Sequence, residues 1–366
     1  MDGFFFKLKI MSSFWDVLTR REFVLGRTVE EFEARLTDFT GARYVLGVNS
    51  GTDALILSLK ACGVGVGDEV IVPAIGFPST AAAVCLIGAT PVFVDVNEDD
   101  YILDAVKMEA AVTPRTKAAI PVYLNGVIGP IKKIEQIARE RHLFVIADAA
   151  HAIGSRVDGK PLGQFADLTC LSFNYTKLFG CYGDGGAVLT NNAELAEKIK
   201  LMRLYGSRSW KEVHSDTVMI GTASRLSPFQ AAVLNVKFPH LEKDIQRQRE
   251  NYFFYQRLFQ DMIKIRIPTY GADQLINGFR FALCTPRRDE LMKFLAQKGV
   301  RLTPYYQTPL PYLSAFRFLG YQSGDFPVAE DIARKVLVLP THHSIPKLKI
   351  EMMGKIVRDF QMTLGE

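Results

Sequence analysis

A chain of 366 residues, 48% hydrophobic and 23% charged, carries enough apolar content for a large core and has the length of two domains, or of one with an appendage. Its 44 Lys and Arg against 39 Asp and Glu leave a net charge of +5, too mild and too scattered to argue for nucleic-acid or membrane binding. The five cysteines (Cys62, Cys85, Cys170, Cys181, Cys284) show neither metal-ligand nor disulfide spacing, so a reducing cytoplasm is the expected location and no metal is expected.

The first eleven residues, MDGFFFKLKIM, are too short and too interrupted by charge for a signal or membrane segment. Phe4, Phe5 and Phe6 read either as a tail or as an interface patch, and Arg20, Arg21 and Glu22 as a solvated face. Apolar positions Val29, Phe32, Leu36 and Phe39 predict a helix over 28–39, with Thr28 as its N-cap. A strand over 44–48 leads into Ser50-Gly51-Thr52 and a helix over 54–61. A strand, a small-residue turn and a helix N-terminus together make an anion site, although Ser-Gly-Thr taken alone reads simply as a helix cap.

Strands follow at 69–73, 91–96 and 118–123, and a helix at 131–141. Phe77 comes just after the strand 69–73, where its ring can face a crevice and stack on a flat ligand, a core role being the default for any one phenylalanine. Leu143 to Ile146 is a continuous apolar run that ends on Asp148, with His151 three residues on. Leu168 to Phe173 ends in Asn174-Tyr175-Thr176-Lys177. A glycine run (Gly180, Gly183, Gly185, Gly186) then leads to a strand over 187–190 and a helix over 193–204.

Alternating strands and helices from about 44 to 204 predict an α/β fold, a large domain whose mainly parallel sheet is sandwiched by helices. After Leu226 the pattern changes. A long charged helical stretch (230–258), a strand (279–283), a helix (289–298), a segment over 331–338 leading to Pro340 and a last helix (348–362) form a smaller C-terminal α+β domain. The boundary is expected near 240, with 1–240 the large domain and its N-terminal arm and 241–366 the small one.

A carboxylate at the end of one buried strand and a lysine just past the end of another can converge on one crevice. Asp148 and Lys177 are what a pyridoxal 5'-phosphate enzyme requires: an acid to keep the pyridinium nitrogen protonated and an amine for covalent attachment. Ser-Gly-Thr at 50–52 would supply phosphate-binding amides.

These stretches carry a family resemblance over nearly the whole chain. Phe23-Val24-Leu25-Gly26, Ser50-Gly51-Thr52-Asp53-Ala54-Leu55, Gly67 to Pro73, Gly88 to Asp95, Asp148-Ala149-Ala150-His151-Ala152, Ser172-Phe173 through Lys177, Gly183 to Ala187 and Gly324 to Glu330 resemble the DegT/DnrJ/StrS sugar aminotransferases. Those have the fold type I architecture of aspartate aminotransferase. The resemblance implies that Lys177 binds the cofactor and moves protons and that Asp148 pairs with the ring nitrogen. It implies that His151 (Gln in many relatives) bonds the ring's phenolic oxygen, that Phe77 stacks on the ring, and that Gly51, Thr52 and Ser172 hold the phosphate. Asn174 is placed to touch cofactor or substrate.

Two departures stand out. Where relatives carry Asn in an Asn-(Ser/Tyr)-Arg segment reaching a neighbouring subunit, this chain has Ala223, leaving Ser224 or Arg225 to substitute. Where relatives carry His-Tyr/Phe-Pro near the substrate, it has Tyr305-Tyr306-Gln307. Arg225, Tyr305 and Tyr306 are therefore the substrate residues expected.

Because Lys177 is not histidine, the resemblance implies transamination rather than dehydration. Glutamate is the expected donor and a nucleotide-linked 3- or 4-keto-deoxy sugar the acceptor, in a homodimer with shared active sites. A keto-polyol or cyclitol acceptor, another fold type I reaction and a non-catalytic regulator are the alternatives. A nicotinamide enzyme is disfavoured because the phosphate turn is not G-x-G-x-x-G. His214 and His342-His343 lack partners at metal-ligand spacing.

Overall fold

The computed structural model describes residues 3–208 and 216–362; His214 lies outside them. Seven strands form the central sheet: Tyr44–Val48 (β1), Glu69–Pro73 (β2), Thr90–Val94 (β3), Thr116–Ala119 (β4), Phe144–Asp148 (β5), Leu168–Ser172 (β6) and Gly186–Thr190 (β7). Their spatial order is β1-β7-β6-β5-β4-β2-β3. The pairs β2–β3, β2–β4, β4–β5 and β5–β6 are parallel. β7 alone runs backwards, antiparallel to both β6 and β1.

This matters for the site. β6 and β7 are joined by a return loop over 173–185 rather than by a crossover helix, and Lys177 rides on that loop. Three other strands, β1, β2 and β5, end at the same edge, so the segments after them open toward one crevice.

Strand interiors are buried almost without exception, as continuous apolar runs in a two-sided sheet should be. The expected strand over 118–123 stops at Ala119. Pro121 has no N–H to donate, and pairing resumes only as an isolated bridge between Val122 and Asp148.

The C-terminal region adds a two-stranded antiparallel sheet, Phe281–Cys284 with Val336–Leu339, among the helices Leu241–Phe259, Arg288–Gln297, Pro327–Lys335 and Lys347–Met362. The long helical stretch expected over 230–258 is two helices, Pro228–Lys237 and Leu241–Phe259. They are separated by a 3-10 turn at Pro239, where proline breaks the backbone ladder. One apolar core runs through both regions, from Val29 to Phe360.

Phe4, Phe5 and Phe6 are not a tail but lie in a helix. Gly3–Arg20 is a helix (α1) that buries Ile10 and Val17 and sets Phe14 edge-on to Phe229, 5.4 Å between ring centres. Its other face exposes Phe4, Phe5, Leu8, Met11, Trp15 and Leu18. Apolar residues on both faces blur the periodicity that would have marked it. The next helix (α2) is Arg27–Thr40, and Thr28 is buried inside it instead of capping it. Glu22 takes that role, its carboxylate accepting from the Arg27 amide at 2.9 Å.

Two of the stretches that carry the resemblance meet directly. Asp95, just past β3 and 4% exposed, accepts from the amides of Val328 (3.1 Å) and Ala329 (2.8 Å) and from Lys107 Nζ (2.9 Å). It thereby caps the helix Pro327–Lys335 from 233 residues away in the chain. Asp95→Ala leaves those amides without an acceptor and is expected to cost about 2 kcal/mol. A urea unfolding midpoint measures it, and Asp95→Asn, which keeps one oxygen acceptor, should lose less.

Candidate active site

β1 delivers the turn at Ser50, and the helix Gly51–Ala61 (α3) starts there. Ser50 Oγ accepts from the Asp53 amide at 3.0 Å, so Ser50 is the cap and is committed to that role. The amides of Gly51 and Thr52, in the first turn of the helix, have no acceptor within it and face the crevice with the positive end of the helix dipole. A Cβ on Gly51 would lie 2.8 Å from Ser172 Cβ, so only glycine lets α3 come this close to the end of β6. Ser224 serves the same turn, its hydroxyl donating to Asp53 Oδ2 at 2.9 Å.

Asp148 ends β5 and is 7% exposed. Thr80 Oγ1 donates to its Oδ2 at 2.8 Å and the Ala150 amide to its Oδ1 at 3.2 Å. Burial raises its pKa, partly countered by the Thr80 and Ala150 hydrogen bonds and by the charge of Lys177. Among the described residues it has no ion-pair partner. A buried carboxylate oriented by neutral donors, with Lys177 nearby but no cation in ion-pair contact, is suited to a cationic N–H brought in by a ligand.

Lys177 sits in a loop folded tightly on itself. Its amide donates to Asn174 O at 2.8 Å, and a Cβ on Gly180 would lie 2.6 Å from that same oxygen. Burial, the larger effect, and the nearby Arg280 charge lower the amine's pKa to about 8, while Asp148 pulls the other way. A sizeable neutral fraction at ordinary pH is what a nucleophile and proton carrier needs.

Both side chains line one cavity of about 420 Å³. Gly51, Thr52, Phe77, His151, Ser172, Asn174, Tyr305 and Tyr306 line it too. Phe77 is 57% exposed and stands at the opening. His151 is buried against Phe279, with ring centres 4.6 Å apart, and its Nδ1 accepts from the Asn125 amide at 3.4 Å. Burial, then the charges of Lys177 and Arg280, hold its pKa well below the usual 6.5. The ring is therefore neutral with its proton on Nε2, free to donate. Pyridoxal phosphate fits these residues: an amine and an unpaired carboxylate on one cavity, free helix amides for the phosphate, and apolar rings for its faces.

The expectations were not all met in detail. Asn174 lines the cavity, but its amide is engaged inside the loop. Nδ2 donates to Asp184 Oδ1 at 2.7 Å, and Oδ1 accepts from the Thr176 amide and hydroxyl. Its position shapes the Lys177 loop instead of offering a free group. Arg225 is not among the lining residues; its guanidinium lies 5.2 Å over the Tyr205 ring. It follows Ser224, whose hydroxyl bonds Asp53; the role expected of it lies in a neighbouring subunit's site, not in this chain's own cavity. Sequence reasoning missed Arg280, which lines the cavity with Tyr305 and Tyr306. An arginine between Phe279 and Phe281 at the start of a buried strand was the available signal. His342 lies in a neighbouring cavity, its Nδ1 2.7 Å from Ser344 Oγ.

Comparisons with known proteins converge on one group. A model of the DegT/DnrJ/EryC1/StrS aminotransferase family matches residues 7–358. A pleiotropic regulatory protein of Geobacillus stearothermophilus is 39% identical over 96% of this chain and 93% of its own length. The UDP-N-acetyl-3-dehydro-alpha-D-glucosamine 3-aminotransferase of Acidithiobacillus ferrooxidans is 37% identical over 97% and 94%. The crystal structure of DesV from S. venezuelae superposes with a TM-score of 0.93 at 34% identity, covering 97% of this chain and 95% of that one.

Proposed function

Because the chain belongs to the DegT/DnrJ/EryC1/StrS family of pyridoxal-phosphate-dependent aminotransferases, we propose that it moves an amino group from glutamate to a nucleotide-linked keto-sugar. The observation that carries this reading is that Lys177 and Asp148 line one cavity. Bound pyridoxal phosphate supplies the electron sink and carries the amino group between the two substrates.

The chain's residues divide the remaining work. Lys177 Nζ would be the attachment point and the group that takes and returns a proton at the reacting carbon. Its lowered pKa keeps it competent for both. Asp148 would hold a proton on the ring nitrogen, with Thr80 fixing the carboxylate's direction. His151 Nε2–H would donate to the ring oxygen. The Gly51 and Thr52 amides and the Ser172 hydroxyl would hold the phosphate, and Phe77 would cover a ring face. Residues 1–240 form the cofactor-binding unit, and 241–366 contribute Arg280, Tyr305 and Tyr306 from the smaller one.

Phe77 and Tyr175, exposed apolar rings that line the cavity, support a homodimer in which a second copy covers the mouth. Sedimentation of active enzyme should give a dimer, and an active monomer would contradict it. Five free cysteines support a reducing cytoplasm, and among the described residues no helix is long and apolar enough to cross a membrane.

The retained lysine and aspartate favour catalysis over a purely regulatory role. The deciding experiment incubates the protein with glutamate and a panel of nucleotide-linked 3- and 4-keto sugars and cyclitol ketones, reading amine product by mass. Amination of a nucleotide sugar supports the proposal. Amination of cyclitols alone, or of nothing in the panel, counts against it.

A further inference from the structure

Arg280 precedes the strand Phe281–Cys284 and stands where two cavities meet. Together with Thr176 and Tyr305 it lines both the cavity of Lys177 and a neighbouring one of about 320 Å³ that also presents Arg301, Thr303 and Thr341. Its guanidinium carbon lies 4.2 Å from the Tyr305 ring centre and 5.0 Å from that of Phe279. Tyr306 lines the same cavity beside it.

What it lacks is a counter-charge. Among the described residues no carboxylate pairs with Arg280. Of the acids on the cavity wall, Asp148 is oriented by Thr80 and Ala150, and Asp184 is bonded to Asn174. The charge also acts against its neighbours, since it lowers the pKa of both Lys177 and His151. Packing between Phe279 and Tyr305 does not require a cation, and a half-buried guanidinium without an acid costs free energy. Arg280 lies near the amine, both charges standing over the Phe279 ring, Lys177 Nζ at 5.9 Å and the guanidinium carbon at 5.0 Å. A planar fork of N–H donors matches a planar carboxylate in a way that an ammonium does not.

We propose, resting on the transaminase reading above, that Arg280 is the receptor for a carboxylate carried by a substrate and so determines which substrates reach Lys177. Two sources share that chemistry: the carboxylate of the amino donor and an acidic group on the keto-sugar.

The test compares holoenzyme with Arg280→Gln and Arg280→Lys, after borohydride trapping shows equal cofactor loading. In the donor arm, glutamate is added without a ketone and the cofactor's spectral change is followed. If Arg280 holds the donor, the half-saturating glutamate concentration rises about tenfold to a hundredfold in Arg280→Gln and less in Arg280→Lys. The maximal rate changes far less. Glutarate, an unreactive dicarboxylate, should lose affinity in parallel by calorimetry.

In the acceptor arm, with the cofactor supplied in its amine form, two nucleotide-linked keto-sugars differing only in a C6 carboxylate or hydroxymethyl are compared. A loss confined to the acidic sugar identifies the sugar as the source. Unchanged affinity for glutamate, glutarate and both sugars would overturn the proposal. So would an equal loss for the two sugars with the donor unaffected. If wild-type enzyme turns over none of these substrates, the transaminase reading fails instead. Glutarate binding to wild type against Arg280→Gln then decides the role of Arg280 separately: a tenfold loss sustains it and equal binding refutes it.

Discussion

Replacing Lys177 by alanine is expected to lower turnover about ten-thousandfold or more, because one side chain provides both the attachment point and the proton carrier. The fold should survive. Lys177 lies on a return loop whose shape comes from Asn174, Thr176, Asp184 and the close approach at Gly180, none of which depends on the amine. Removing a desolvated amine, whose pKa is about 8 against the ordinary 10.5, also removes a mild strain on the cofactor-free protein. The same depressed pKa sets a pH dependence. Only the neutral amine is nucleophilic, so the rate at which pyridoxal phosphate becomes attached to cofactor-free protein should rise with pH and level off above about 8. An unperturbed lysine would keep rising toward 10.5.

Asp148→Asn separates a role in catalysis from a role in folding. The amide keeps an acceptor for Thr80 but carries no charge to hold a proton on the ring nitrogen, so turnover is expected to fall about a hundredfold to a thousandfold while cofactor is retained. Stability should move the other way in cofactor-free protein. Burial raises the folded-state pKa of this carboxylate. It therefore favours folding most when protonated at low pH, and that contribution is lost as pH rises through the folded pKa. At neutral pH the ionised group is a net burden until a cation pairs with it, and the asparagine variant should be at least as resistant to urea as wild type. Unchanged turnover would remove Asp148 from the chemistry; a large fall in urea midpoint would make it a structural residue.

How much of this was legible beforehand follows from the range of the interactions. Strands β2, β5, β6 and β7 were readable because two-sided burial demands continuous apolar runs, and Asp148 and Lys177 because each stands just past such a run. Helix α1 was not, since its apolar residues lie on two faces and only packing of Ile10, Phe14 and Val17 against the helix Pro228–Lys237 shows which is inside. The cap of α2 was assigned to Thr28 by local rule, yet a carboxylate five residues before Arg27 takes the amide. Asn174 was placed at the ligand by its nearness to Lys177, while its amide turns to Asp184, ten residues on. The arginine between Phe279 and Phe281 marked Arg280 only weakly, because its setting comes from Tyr305, Tyr306 and Lys177, partners far away in the chain. Reversal of β7, which puts Lys177 on a return loop, likewise depends on pairing with β1, about 140 residues earlier.

The central claim is that one lysine and one aspartate share a single cofactor. Borohydride reduction of the purified holoenzyme, followed by digestion and mass spectrometry, tests it most directly. A single reduced cofactor adduct on the peptide containing Lys177, absent from Lys177→Ala, is the predicted result; an adduct on any other lysine, or an undiminished one in that variant, would contradict it.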